Sequence, residues 1–257
     1  MSVSATVGEI KNILDQLAPF DTAEDFDNVG LLVGRHDAQV SKILIALDVT
    51  LDVVEEAKEL GAELIISHHP LLFRARKNLV EEDAEAKILC ELIRSQISLI
   101  SAHTNLDRTE LSGSACCARM LQLQNLRQEG YLFLGELPES VSAAELSLKA
   151  GAALHFPVRC YGEEKKMIST LAIAGGAYDE GWEEAKALGA QALLTGEVRH
   201  HNALSAVMND FVLLDGGHRG TEAPLVAELC TYLQNCVNGV KWNIRVYPSQ
   251  SAPFGGV

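Results

Sequence analysis

EEAKELGAELIISHH (55–69) returns without a gap as EEAKALGAQALLTGE (183–197), and seven of the first eight positions are identical. The same offset of 128 residues lays KILIALDV (42–49) on TLAIAGGA (170–177), strand-like run on strand-like run. A helix built from Glu, Ala, Lys and Leu is common, so eight matched residues decide little alone. The matched order of strand, helix, glycine and strand decides more, because self-similarity at a fixed offset announces repeated architecture. It predicts two related α/β lobes.

The first copy sits in a regular alternation. Val7, Ile10, Ile13, Leu14 and Leu17 fall at helical spacing, and Pro19 stops that helix. KILIALDV reads as a buried strand, LDVVEEAKEL (51–60) as a helix closed by Gly61, and ELIIS (63–67) as another buried strand. DAEAKILCELIRS (83–95) is a further helix and SLISA (98–102) a further strand. Short, wholly apolar strands alternating with helices imply a mainly parallel sheet covered on both faces. ESVSAAELSLKAGAAL (139–154) reads as helical, while the rest of 126–165 carries little pattern. No Pro-, Ser- or Gly-rich linker parts the lobes, so they are expected to pack rather than hang on a tether. The expected division is 1–125 plus 220–257 for the first lobe and 126–219 for the second.

Composition excludes several classes of function. The 257 residues hold 21 Lys+Arg against 35 Asp+Glu, a formal net charge of −14, which opposes a nucleic-acid-binding face. With 47% hydrophobic residues the chain suits a folded core, yet no apolar run is long enough to span a membrane. Met1–Gly8 lacks a basic and apolar leader pattern, so a cytoplasmic location is expected. Cys90, Cys116, Cys117, Cys160, Cys230 and Cys236 form no C-x-x-C pair and read as reduced, mostly buried small side chains.

In an open parallel sheet the ligand site lies beyond the carboxyl ends of the strands. ELIIS runs into His68-His69-Pro70, and SLISA into His103-Thr104-Asn105-Leu106-Asp107. QALL (191–194) runs into Thr195-Gly196-Glu197, with His200 and His201 next. FVLLD (211–215) runs into Gly216-Gly217-His218, with Glu222 four residues on. Six of the eight histidines lie in these four segments, so the strand ends concentrate ligand chemistry. Imidazole with carboxylate suits zinc, iron, manganese, nickel or cobalt better than calcium or magnesium. A helix starting at His218 puts His218 and Glu222 on one face, and the two oxygens of Glu222 could bridge a metal pair. Adjacent His68 and His69 point different ways on an extended chain, which favours two ions over one. His36 and His155 read as ordinary surface or hydrogen-bonded histidines, and His200 as a solvated helix residue. Glu197 reads as a cap or charge for the following helix, Gly216-Gly217 as a turn or a close backbone approach. His103 and His201 fit either support of a ligand or proton transfer.

FDNVGLLVG (26–34), SHHPLLF (67–73), SAHTNLD (101–107), TGEVRHHNA (195–203) and DGGHRGTE (215–222) together resemble the YbgI-like, or Nif-three-like, dinuclear-metal family, often labelled GTP cyclohydrolase I type-two homologue. The resemblance covers about residues 7–235. It implies two interlocked α/β lobes with the metal site in the cleft between them, and a homohexamer built as a trimer of dimers. It implies two divalent ions per chain held by His68, His69, Asp107, His218 and a bridging Glu222, with His103 and His201 nearby. Phe26 stands where relatives commonly carry Trp, and Ala177-Tyr178 follows AIAGG (172–176) where many continue Ser-Gly. The inserted middle domain of longer members is absent.

Three functions fit. The first is a metal-dependent hydrolase of a nucleotide-like small molecule, with His103 and His201 as the catalytic proton carriers. No Gly-x-x-x-x-Gly-Lys phosphate loop supports GTP in particular. The second is a non-enzymatic metal-handling or metal-responsive protein with the same ligands. The third is a ring-shaped interaction scaffold stabilised by its metals.

Overall fold

The computed structural model describes residues 4–251. The chain forms two compact units, one ending at Thr109 and resuming at Val226, the other spanning Glu110–Leu225. In the first, β1 (Ala5–Thr6) leads into α1 (Val7–Leu17), followed by β2 (Gly30–Val33), β3 (Gln39–Val40), β4 (Lys42–Ala46), α2 (Leu51–Leu60), β5 (Leu64–Ser67), α3 (Ala84–Arg94), β6 (Ser98–Ser101) and α4 (Thr104–Asp107). The second holds α5 (Gly113–Met120), β7 (Gln124–Glu129), β8 (Leu132–Ser142), α6 (Ala143–Leu154), β9 (Arg159–Tyr161), β10 (Met167–Ala177), α7 (Trp182–Ala187), β11 (Ala192–Gly196), α8 (His200–Met208), β12 (Val212–Asp215) and α9 (His218–Glu222). Helix α10 (Pro224–Gly239) carries the chain back into the first unit, which β13 (Arg245–Pro248) completes.

Local chemistry accounts for the helices. Thr6 and Glu9 form a reciprocal capping box at the start of α1, whose Val7, Ile10 and Leu14 are buried. Thr50 caps α2 at one end, and Gly61, in the left-handed region at φ 66°, ends it at the other. Asp83 caps α3 through the Ala86 amide. Both cysteines of α5 are buried, and all six cysteines are free.

The first sheet runs β13-β4-β5-β6-β2. Its first four strands are mutually parallel, and β2 is an antiparallel edge. Ile43, Leu44, Ile45, Leu64, Ile65, Ile66, Leu99 and Ile100 are fully buried, as a sheet covered on both faces demands. The second sheet runs β7-β8-β10-β11-β12-β9, and only β10, β11 and β12 are parallel. The expectation of mainly parallel sheets is therefore corrected for this unit. A two-residue turn, Gly130-Tyr131, folds β7 back on β8, and such turns join only antiparallel strands. Strand β7 (QNLRQE) is exposed along its whole length, so it carries none of the apolar signal by which a strand is read. The expected helix over 139–154 starts later, at Ala143, because 139–142 belong to β8.

The repeat is visible in the strand register. Ile43, Leu44 and Ile45 pair with Leu64, Ile65 and Ile66; Leu171, Ala172 and Ile173 pair with Ala192, Leu193 and Leu194. Every pair is displaced by the same 128 residues. The units divide at 109/110 and 225/226, against the expected 125/126 and 219/220. Segment 110–125 lies with the second unit because α5 packs on β8, β10 and α9, where the Cys117 thiol donates to the Thr221 carbonyl (3.3 Å). Among the described residues no helix is long and apolar enough to cross a membrane.

Candidate metal centre

In the first unit the ends of β5 and β6 bring four expected residues together. The amides of His68 and His69 donate to the carbonyls of Ala46 (3.1 Å) and Leu47 (2.9 Å), at the end of the neighbouring strand. The chain bends there, and the Ser67 hydroxyl, linked to that of Ser101 (2.7 Å), donates to the His69 carbonyl (2.9 Å). That bend alters one expectation. The two rings do not diverge as on an extended strand; their centroids lie 5.0 Å apart. His103 closes the group at 5.1 Å from His68 and 5.5 Å from His69. One ligand nitrogen from each of the three lies within 4.8 Å of the others. Asp107, at the end of the one-turn α4, places Oδ1 3.5 Å from Nε2 of His68.

Each imidazole is oriented through its other nitrogen. Nδ1 of His68 donates to the Ala102 carbonyl (2.9 Å), that of His69 to Asp48 (2.7 Å) and that of His103 to Asp27 (3.0 Å). A proton held on Nδ1 puts the lone pair on Nε2, the tautomer that metal ligation requires. Asp27 also accepts from the amide (3.0 Å) and hydroxyl (2.5 Å) of Thr104. Burial opposes its charge, but the hydrogen bonds from His103 and Thr104 outweigh that cost and hold its carboxyl well below the usual range. It is a fixed anion behind His103.

In the second unit the expected pair meets on α9. His218 and Glu222, one turn apart, touch at 3.1 Å through Nε2 and Oε2. The His218 Nδ1–H donates to Glu197 (2.7 Å). Glu197 is thus a partner of His218, and Arg199 occupies the capping position of α8 that Glu197 was expected to serve. Its backbone is left-handed at φ 58°, a strained conformation for glutamate. Asp179 fixes the segment that follows, accepting from the Arg199 amide (2.7 Å) and guanidinium (2.6 Å). Glycines admit α9 to the strand ends. A side chain at Gly196 would meet the His218 amide nitrogen at 2.5 Å, and one at Gly176 would overlap the Glu222 carboxylate. Thr221 ties the arrangement by accepting from the Gly176 amide (3.0 Å).

These clusters of His, Asp and Glu could hold metal ions. The donor set fits, with imidazoles, carboxylates and an oxygen acceptor behind each ring, the chemistry of a borderline divalent cation. His201 is brought to neither group; it is exposed on the first turn of α8. His36 and His200 are exposed, and His155 ends α6 in a left-handed conformation. Sequence reasoning missed Asp48 and Asp27. A charged residue inside the apolar run KILIALDV was the available signal for Asp48.

Comparison with known proteins places this geometry. The profile of Duf34/NIF3 (NGG1p interacting factor 3) matches residues 5–253. A protein of Clostridium acetobutylicum named GTP cyclohydrolase 1 type 2 homolog is 30% identical, with 97% of each chain covered. One of Helicobacter pylori named GTP cyclohydrolase 1 type 2 is 33% identical over 88% of this chain and 91% of its own. The crystal structure of a Staphylococcus aureus hypothetical protein superposes with a TM-score of 0.94 at 29% identity, covering 99% of this chain and all of that one.

Proposed function

The chain belongs to the Duf34/NIF3 family, and from that premise we propose that it binds two divalent metal ions and hydrolyses a nucleotide-like small molecule. His68, His69, Asp107, His218 and Glu222 would hold the ions. The observation that carries this reading is the orientation of the rings. His68, His69 and His218 each place Nδ1 on an oxygen acceptor, which leaves the Nε2 lone pair to offer to a cation. The names of the relatives supply the substrate class, GTP being the nucleotide they mention.

Divalent ions would supply Lewis acidity that polarises the bond to be broken. The protein supplies the rest. His103, held by Asp27, offers a lone pair on Nε2 and takes a proton there. Asp48 and Glu197 keep the ligand rings from turning.

The test is metal content per chain by elemental mass spectrometry, on full-length protein purified without a metal column. About two ions per chain are expected. Glu222→Ala should lose both, and His36→Ala should lose neither. A wild type that stays empty after supply of zinc, manganese, iron, nickel and cobalt would overturn the proposal. Loaded protein is then assayed with GTP, where His103→Ala should lower turnover about a hundredfold or more.

A further inference from the structure

The three residues Phe26-Asp27-Asn28 grip the candidate centre from one side. Asp27 holds His103 and the start of α4, as described above. Asn28 donates its side-chain amide to the Leu72 carbonyl (2.5 Å), which ties this segment to the loop that follows His68-His69. Next to those two anchors, Phe26 meets Phe73 edge to face, with centroids 6.3 Å apart and planes at 68°. Phe73 in turn meets the His103 ring at 6.2 Å and 83°. A file of rings therefore runs from the buried His68 through His103 and Phe73 to Phe26.

The outer end of that file stands in water, with Phe26 66% and Phe73 44% exposed. Leaving a phenyl ring exposed forgoes the hydrophobic stabilisation that burial would bring, and a lone exposed ring would need no comment. This is a pair, fixed by two flanking side-chain hydrogen bonds and continuous with a cluster of convergent polar groups. Aromatic walls beside a few placed polar groups are the make-up of a small-molecule site.

We infer that Phe26 and Phe73 form a stacking subsite for the flat aromatic ring of the substrate, of the size of a nucleobase. The inference rests on the proposed function for where the chemistry occurs. Stacking on a phenyl face accepts any base, because every base has a π-face, whereas hydrogen-bonded readout would discriminate. The subsite thus selects for a flat ring, and the polar part of the ligand is left for the imidazole cluster.

Calorimetric titration of the full-length protein with GTP, ATP and inorganic triphosphate tests this, with metal content and oligomeric mass measured on each sample. Wild type should bind both nucleotides at least tenfold more tightly than triphosphate. Phe26→Ala and Phe73→Ala should each weaken nucleotide binding about tenfold and leave triphosphate binding and metal content unchanged. Phe26→Trp should keep or tighten nucleotide binding. Equal binding of nucleotide and triphosphate by the wild type, or nucleotide binding unaltered in both alanine variants, overturns the subsite. So does a change of oligomeric mass without a change in nucleotide affinity, which would assign the rings to a contact between copies. Base-dependent binding by a protein that takes up no metal would leave the subsite standing and remove the metal reading. Two bound metals with no affinity for GTP or ATP would do the reverse.

Discussion

Strands β4, β5 and β6 of the first unit and β10, β11 and β12 of the second are the same device used twice. Gly61 and Gly189 close the equivalent helices, and both are left-handed, at φ 66° and 93°. The polar residues beyond the strands are where the copies part. At the offset of 128, Asp48 answers to Gly176, His68 to Gly196 and His69 to Glu197. In one unit the strand ends carry the imidazoles themselves. In the other, two of the three positions are glycine and the third is Glu197, and the clustered imidazole and carboxylate arrive on α9 instead. The scaffold sets where donors can stand, while single side chains at the strand ends decide which element delivers them.

The contrast is sharpest at Gly196. An alanine there would place its Cβ 2.5 Å from the His218 nitrogen and 2.7 Å from the Gly217 carbonyl carbon, both backbone atoms that cannot swing aside. Gly196→Ala should destabilise the second unit by about 3 kcal/mol, the upper end of ordinary overpacking. Trp182, buried in that unit, reports its unfolding by fluorescence once Trp242 is replaced by Phe. An unfolding midpoint within error of the parent would mean that α9 is not seated against the strand ends, and the comparison would fail.

A smaller effect is expected where the two units use the same trick. Asp48 orients His69 and Glu197 orients His218, each through Nδ1 at 2.7 Å. Loss of such a partner costs about 10–100-fold in metal affinity. Asp48→Ala should fall near the upper figure, because its side chain is 32% exposed against 59% for Glu197, whose hydrogen bond competes more with water. Glu197→Gly separates orientation from strain. It should lose the same affinity as Glu197→Ala while gaining about 1 kcal/mol of stability, since glycine accepts a φ of 58° without penalty. Competition against a chromophoric chelator, beside thermal unfolding, reads both quantities. A Glu197→Ala variant with unchanged affinity would leave His218 without an equivalent of the Asp48 support.

The same contrast explains what could be read from the chain. The first unit is built of strands buried on both faces and helices with marked ends, so KILIA, LIIS and SLIS stand out as apolar runs between turn signals. The edge strands of the second unit are polar and short, as edges must be to avoid pairing with other chains, and β7 and β9 were illegible for that reason. The residues of the two clusters were legible because His68, His69, His103 and His218 follow closely on the apolar strand runs. Their supports were not. Asp27 reaches His103 across 76 residues and Asp48 reaches His69 across 21, and at such separations the sequence does not say which ring an aspartate supports.

Asp27 and Asp179 carry the comparison down to single carboxylates, for each is buried and each pins a backbone amide together with a cationic or imidazole side chain. Burial raises the cost of charging Asp179, but its hydrogen bonds from the Arg199 guanidinium and amide prevail and lower it from 3.8 to about 2. A carboxylate with a depressed folded-state value binds fewer protons folded than unfolded, so its contribution is complete above about pH 4 and is lost as pH falls through about 2. The shift would correspond to about 2 kcal/mol in full, and the exposure of Arg199, 54% at its side chain, reduces that to about 1 kcal/mol. Asp179→Asn should therefore lower the stability of the second unit by about 1 kcal/mol at pH 7, and the deficit should close as the pH is taken from 4 to 2. The Trp182 signal reads this unit, and the Trp242 signal of the reciprocal Trp182→Phe protein should be indifferent to the substitution. A deficit that persists unchanged at pH 2 would mean that Asp179 acts through packing rather than charge, and the likeness to Asp27 would be one of shape alone.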